Sequence, residues 1–324
     1  MALPRPPAAR PNPNMAATPT RTTSRDPRFV AAGEALTDFI RTGPDTWISR
    51  AGGSDWNVAR VVATLGIPSA FAGSVSMDRF GDELAELSRE AGLDQRFLQR
   101  VGKAPLLAMV HETSPPAYFF VGSDSADLAF QPSLLPSGWL EHAEWLHLGC
   151  ISLAREPLAQ KLLRMLDAAK AAGRKISFDP NYRNIMTEGF DPTLRYVAER
   201  ADAIKVSDED LRGLFRTDDV AGGLARLRGF NASAPILFTR GAAGAEMHVG
   251  SRVLHQPPPA INVVDTVGAG DASVGGLLYS LMMQPHADWD VHLRFAVAAG
   301  SAACLQAGAV PPALSSVNAL LKKM

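Results

Sequence analysis

Cysteine is scarce in this chain: Cys150 and Cys304 are the only two among 324 residues. They lie far apart and belong to no Cys-x-x-Cys pair, which argues against a disulfide scaffold and a thiolate zinc site and fits a reducing cytoplasm. A charge excess of either sign is missing too, with 32 basic against 33 acidic residues and a formal net charge of −1. That balance gives no electrostatic case for nucleic acid or an anionic membrane as partner. No apolar run approaches the length of a membrane span, and the N-terminus lacks a signal-peptide hydrophobic region. Several catalytic signatures are absent. There is no Gly-x-x-x-x-Gly-Lys-Ser/Thr, Gly268-x-Gly270-x-x-Ser273 lacks the third glycine of the dinucleotide fingerprint, and no Gly-x-Ser-x-Gly elbow occurs. His142 and His147 are five apart, the wrong spacing for a zincin helix.

What is present reads as an ordinary globular protein, 46% hydrophobic and 20% charged, long enough to bury a large core. Residues 1–27 are rich in Pro, Ala, Thr and Arg, carry no acid before Asp26 and are expected to be disordered. From Phe29 onward apolar runs alternate with stretches of helical periodicity. Strands are expected at Phe29 to Leu36, Ser69 to Val75, Trp145 to Leu148, Lys175 to Phe178, Ala203 to Val206 and Pro235 to Phe238. Helices are expected between them, and a long Ala-rich one over Val291 to Leu305. Such alternation implies an α/β domain over residues 28–324 with a parallel sheet covered on both faces. Two segments break it: about 37–50, around Gly43-Pro44, and about 101–122, around Ser114-Pro-Pro116, read as β-hairpins. They suggest a small sheet standing off the main one, with edge strands of the main sheet as the alternative.

The stretch Ile261-Asn-Val-Val-Asp265-Thr-Val-Gly268-Ala269-Gly270-Asp271 concentrates the chemistry. Its β-branched start reads as a buried strand, and Gly-Ala-Gly then opens a helix. Unpaired N–H groups of the first helical turn favour an anion there, and phosphate suits them best. Asp271 would repel that phosphate unless negative charge had a task, such as taking the proton of an attacking hydroxyl. By itself Gly-x-Gly-Asp is more often a plain helix cap. Elsewhere Gly52-Gly53 leads into a helix bearing Asn57, and Asp38 follows the first expected strand. Asp179-Pro-Asn181-Tyr-Arg183 follows another, where open α/β sheets bind ligands. Arg183 can pair with phosphate or carboxylate. Thr239-Arg-Gly241 with Gly244 resembles a phosphate-facing turn, and Lys205-Val-Ser207-Asp208-Glu209-Asp210 adds carboxylates that otherwise serve as helix-dipole partners.

Taken together and in order, Gly52-Gly53-x-x-x-Asn57, Asp179-Pro-Asn181-x-Arg183 and Asp265-Thr-Val-Gly-Ala-Gly-Asp271 resemble the ribokinase or PfkB family of sugar kinases over roughly Phe29 to Pro312. The resemblance implies a ribokinase-like three-layer sandwich with a small β-sheet lid, and ATP-dependent phosphorylation of a sugar hydroxyl. It makes Asp271 the catalytic base and the amides of Gly268, Ala269 and Gly270 an anion hole. Asp38, Gly52, Gly53, Asn57 and Arg183 would hold the sugar. Lys205, Ser207, Thr239, Gly241, Gly244 and Ala298 would border the nucleotide. Mg²⁺ would bridge the phosphates, with Asp210 a weak candidate ligand, and K⁺ could sit near Asp265. A homodimer is implied as well. Gly33-Glu-Ala-Leu-Thr-Asp38, Ser125-Ala-Asp127 and Leu148-Gly-Cys150 look most like fructokinases. The competing readings are a 2-keto-3-deoxygluconate kinase, which would also use Arg183, and a non-catalytic sugar or nucleotide sensor on the same fold. The chain departs from the fructokinase pattern at Ser54-Asp55-Trp56, where Ala-Pro is usual and Trp56 is expected to reshape the sugar pocket. Two further departures are Ser207-x-x-Asp210, in place of Asn-x-x-Glu, and Val297, where ribokinases carry Asn.

Overall fold

The computed structural model describes residues 26–113 and 116–324. Most of the expected N-terminal tail and the tip of the second hairpin, Ser114-Pro115, lie outside the described residues. In chain order the strands are β1 (Phe29–Ala32), β2 (Leu36–Arg41), β3 (Trp47–Gly52), β4 (Ser69–Ser76), β5 (Leu98–Val101), β6 (Leu107–Thr113) and β7 (Pro116–Val121). They continue as β8 (Trp145–Gly149), β9 (Lys175–Asp179), β10 (Ala203–Ser207), β11 (Ile236–Thr239), β12 (Ala245–Val249) and β13 (Arg252–Gln256). Nine form one sheet ordered β13-β12-β11-β10-β9-β8-β1-β4-β5, and four form a separate one, β3-β2-β6-β7. In the large sheet every pairing from β5 to β11 is parallel; β12 alone runs against it, and β13, antiparallel to β12, returns to the common direction.

Alternation along the strands sends Val30 and Ala32 to one face and Phe29 and Ala31 to the other. Helices Leu158–Ala171, Asp191–Ala198 and Val220–Phe230 pack on the first face through Leu162, Leu166, Val197 and Leu227. Helices Ser54–Thr64 and Ala269–Met283 cover the second through Val58, Val62, Val274 and Leu278. Helix Trp289–Ala303 lies against them through Phe295 and Ala299. The result is the three-layer α/β sandwich expected from the sequence. The chain runs outward from β1 to β4 and β5 on one side and from β8 to β11 on the other. That reversal puts a crevice at the carboxyl ends of β1, β8 and β9, the usual place for a ligand in such sheets.

Three local expectations differ. The first expected strand, Phe29 to Leu36, is two strands, because the chain leaves the large sheet at Gly33-Glu34-Ala35 and enters the small one. The departure is built in: a Cβ on Gly33 would sit 1.8 Å from Asp55 Oδ2, and one on Gly53, whose φ is +114°, would sit 2.6 Å from Glu34 O. Ile261 to Val264 is not a buried strand; Val263 and Val264 are 58% and 64% exposed, and the segment is irregular. Pro257-Pro258-Pro259 ahead of it cannot donate to a ladder, and the Val264 N–H goes to Cys304 O instead, at 2.9 Å. The β12–β13 hairpin and the helix Leu314–Leu321 were not anticipated from the sequence; the alternating Glu246-Met-His-Val and the left-handed Gly250 turn are the signal for the hairpin.

Candidate active site

The helix Ala269–Met283 starts from Gly268, whose backbone is left-handed at φ +77° and which a Cβ would drive to 2.8 Å from the Ala309 Cβ. Glycine is required there by both conformation and space. The Ala269 N–H turns back to Thr266 O at 3.2 Å, so it is only partly available to an anion. The N–H groups of Gly270 and Asp271 lie in the first turn, where the helix has no acceptor for them and no side chain caps it.

Asp271, in the same turn, is buried but not isolated. Its Oδ1 accepts from Ser54 Oγ at 2.7 Å and its Oδ2 from Asn57 Nδ2 at 2.8 Å. Helix Ser54–Thr64 thus delivers both partners, brought across from the double glycine. Ser54 Oγ also accepts from Asn181 Nδ2 at 2.8 Å, and Asn181 Oδ1 accepts from Arg183 Nη1 at 2.7 Å. Asn181 holds a left-handed backbone, φ +41°, as the chain turns out of β9. Burial pushes the Asp271 carboxyl up from its ordinary value, and the bonds from Asn57 and Ser54 and the charges of Lys205 and Arg183 oppose that rise.

Lys205 lies under Gly270; a Cβ there would be 3.4 Å from its Nζ. It is buried between Asp179 Oδ2 at 3.2 Å and Asp210 Oδ2 at 3.5 Å. Burial opposes its charge, but these acids hold its pKa above the ordinary lysine value. Burial lifts Asp179 to about 7 despite Lys205. Burial also acts on Asp210, yet Lys205 and Ser207 hold it below the usual carboxylate value. Ser207 and Asp210 form a capping box on helix Asp208–Phe215, and Asp210 Oδ1 takes the Tyr182 N–H at 2.7 Å. Both Asp210 oxygens are therefore engaged, and it is a poor metal ligand. Among the described residues no group of three or more His, Cys, Asp or Glu is arranged to hold a metal ion. Asp265 joins two loops, accepting from Val267 N at 3.1 Å and Gly308 N at 2.8 Å.

On the small-sheet side, Asp38 of β2 faces Gly52, where a Cβ would come within 2.4 Å of its Oδ2. Burial raises Asp38 to about 6, with Arg183 pulling it down and Asp271 pushing it up. Gly52 leads through Gly53 to Ser54, which bonds Asp271 and, through Asn181, Arg183, so Asp38, Arg183 and Asp271 border one space. Arg183 lies over the Tyr118 ring of β7 at 5.8 Å. On the opposite side of the helix start, a cavity of about 600 Å³ is lined by Thr239, Gly241, Gly244, Ser273, Val297 and Ser301, among others. Its wall also includes Ala269 and Gly270, so the helix N-terminus separates the cavity from the space at Asp38.

Some expected site residues stand elsewhere. Ala298 is fully buried in the helical core, and its neighbour Val297 faces the cavity. Lys205 and Ser207 do not line the cavity; they belong to the buried ion network and a helix cap. Trp56 turns away from Asn57 into the core, donating Nε1–H to Ser88 Oγ at 2.8 Å. Ser54 is the residue sequence reasoning missed, because a serine at a helix start reads as a cap. Asp55 likewise points inward, to Ser152 Oγ at 3.4 Å and His147 Nε2 at 3.5 Å, beside Glu34, which Ser152 also contacts. Burial raises both carboxyls and drives His147 down to about 3.

Comparison with known proteins places this geometry in context. Residues 27–315 match the family described as pfkB family carbohydrate kinase. A fructokinase of Klebsiella pneumoniae is 35% identical over 257 residues, 77% of this chain and 82% of that protein. A crystal structure of fructokinase with bound ATP from Xylella fastidiosa superposes with a TM-score of 0.81 at 29% identity, covering 91% of this chain and 98% of that one. The fructokinase of Vibrio cholerae O395 in its fructose, ADP and calcium ion bound form gives 0.78 at 29% identity, over 91% and 99%.

Proposed function

The chain belongs to the pfkB family of carbohydrate kinases, and from that premise we propose that it transfers the γ-phosphoryl group of ATP to a primary hydroxyl of fructose, giving fructose 6-phosphate. One observation carries the residue assignment: Asp271 stands at a helix N-terminus with a nucleotide-sized cavity on one side and the Asp38–Arg183 space on the other. ATP fills the cavity beside Thr239, Gly241 and Gly244. The sugar lies against Asp38, Gly52, Gly53, Asn57 and Arg183. Asp271 takes the proton of the attacking hydroxyl as its oxygen adds to the γ-phosphorus, and ADP leaves with the bridging electron pair. The amides of Gly270 and Asp271, with Gly268 and Ala269 shaping the turn, and Lys205 beneath them stabilise the equatorial phosphate oxygens. The small sheet of β2, β3, β6 and β7 serves as the lid that screens water from the reaction.

Mg²⁺ is proposed to arrive on the nucleotide, neutralising phosphate charge, since the described residues offer it no cage of their own. Asp265, held rigid by two backbone N–H groups, suits K⁺ with its remaining lone pairs. Trp47 and Phe119 of the small sheet, 38% and 52% exposed, are offered as a homodimer surface, checked by light scattering. Among the described residues no helix is long and apolar enough to cross a membrane, and we propose a cytoplasmic setting.

Sugar-dependent ADP release across a panel of hexoses, ribose and 2-keto-3-deoxygluconate tests the reaction. Turnover greatest with fructose is the expected result. A preference for the sugar acid would move the assignment to that kinase, against the negative charge of Asp38 that such a substrate would meet. Saturable sugar binding with no turnover on any sugar would favour the non-catalytic sensor. A pH effect also follows from Asp38 at about 6. Only the ionised carboxylate accepts two sugar hydroxyls, so KM for the sugar rises as pH falls through about 6. Asp38→Asn removes that rise while weakening the sugar at every pH. A sugar KM flat between pH 5 and 8 in the parent protein would rule this role out.

A further inference from the structure

Asp271 is held by two donors, and the resemblance to sugar kinases gives a role, holding the sugar, to only one of them, Asn57. The other, Ser54, stands where the related pattern has a residue without a hydroxyl. Resting on the kinase reading above, we infer that Ser54 is a positioning residue for Asp271: its hydroxyl, oriented from Arg183 through Asn181, fixes the rotamer of the carboxylate and so the direction in which its remaining lone pairs meet the substrate.

The argument is one of hydrogen-bond direction. A guanidinium can only donate, so the Asn181 atom facing Arg183 Nη1 at 2.7 Å is the amide oxygen. The opposite amide atom is then the NH₂, and it donates to Ser54 Oγ at 2.8 Å. A hydroxyl has a single proton, and with Asn181 donating to it that proton has one partner left, Asp271 Oδ1 at 2.7 Å. No link in this series can be reversed while Arg183 is in place. Asn57 closes the other side, its Nδ2 at 2.8 Å from Oδ2. Ser54 is buried, as are Asn57 and Asp271, so no bulk water stands ready to replace the hydroxyl.

The surroundings of Asp271 make the series matter. Lys205 and Arg183 face it as cations, and Asp38, Asp179 and Asp55 influence it as acids, the first from β2, the second from β9, the third from the helix that carries Ser54. Among groups of both signs, a carboxylate free to rotate would turn toward the cations and away from the substrate hydroxyl. Two short bonds from one helix prevent that rotation.

The experiment compares Ser54→Ala, Ser54→Thr and Ser54→Cys with the parent protein. In Ser54→Ala, kcat is expected to fall on the order of tenfold, as for loss of one hydrogen bond to a charged group, with both KM values within about twofold. The acid limb of the kcat–pH profile is expected to move up by about one unit, because the lost donor favoured the ionised form. Ser54→Thr, which keeps the hydroxyl, restores both; Ser54→Cys, which keeps the volume with a weak donor, does not. If the alanine variant fails to fold, the threonine and cysteine pair gives the same contrast. A ¹³C carboxyl titration of Asp271 in the ligand-free protein, identified by its loss in Asp271→Asn, reads the same shift without turnover. It separates this inference from the kinase reading: no turnover with any sugar overturns the latter, while an unmoved Asp271 titration in Ser54→Ala overturns the former. An alanine variant with parent kcat, or one whose kcat falls with an unmoved acid limb, would also overturn it.

Discussion

Asp271→Asn is expected to lower kcat by at least about a hundredfold while leaving nucleotide binding intact, the range found when a general base is removed. The substitution keeps the volume, and the site can absorb the change of hydrogen-bonding character. Asn57 Oδ1 is buried without a partner, so a half-turn of its amide presents that oxygen to the new NH₂ group. Ser54 can donate to the remaining carbonyl oxygen as before. What is lost is the capacity to receive a proton from the sugar. ADP release measures kcat and calorimetric titration with nucleotide measures binding. Turnover close to that of the parent would remove Asp271 from the mechanism, however well placed it is.

Lys205→Met should cost about 3–5 kcal/mol of stability, the range for leaving buried charge without its partner. Among the described residues Lys205 is the only cation bonded to both Asp179 and Asp210, which lie buried on either side of it. Methionine fills similar space but leaves the two carboxylates facing one another. Without Lys205 the folded-state pKa of Asp179 rises further above that of the unfolded chain, and that of Asp210 loses the cation that held it below. A carboxyl raised on folding supports stability below its unfolded value and loses that support as pH rises through its folded value. Asp179, already at about 7 with Lys205 present, makes this the neutral range. The deficit in urea midpoint is therefore expected to be larger at pH 8 than at pH 5.5. An unchanged midpoint at pH 8 would mean that the network contributes nothing net.

Some of this was written in the residues themselves. Alternating apolar runs and helical periodicity predicted the layered α/β domain, because a sheet buried on both faces requires that pattern whatever surrounds it. Gly52-Gly53, Asn57 and Gly268 to Asp271 announced themselves only together: glycines ahead of a helix are commonplace one at a time, and it is the ordered set of motifs that is specific. The failures were equally physical. Ile261 to Val264 has the composition of a buried strand, but three prolines precede it, the Val264 N–H bonds to the end of helix Trp289–Ala303, and its valines are exposed. Ala298 and Val297 differ only in the direction a helix turns them. Trp56, expected to reshape the sugar pocket, is sent inward to Ser88 by helix geometry, as its neighbour Asp55 is sent to His147.

By itself the sequence determined the class of fold, the helix start that can hold an anion, and the carboxylate beside it, since each depends on residues adjacent in the chain. Tertiary structure alone decided that Ser54 meets Asp271 across 217 positions, that Lys205 joins Asp179 to Asp210, and that Asp38 comes to face Arg183. Those contacts arise where β1, β8 and β9 end together, and no local pattern encodes which side chains distant segments bring to the same point.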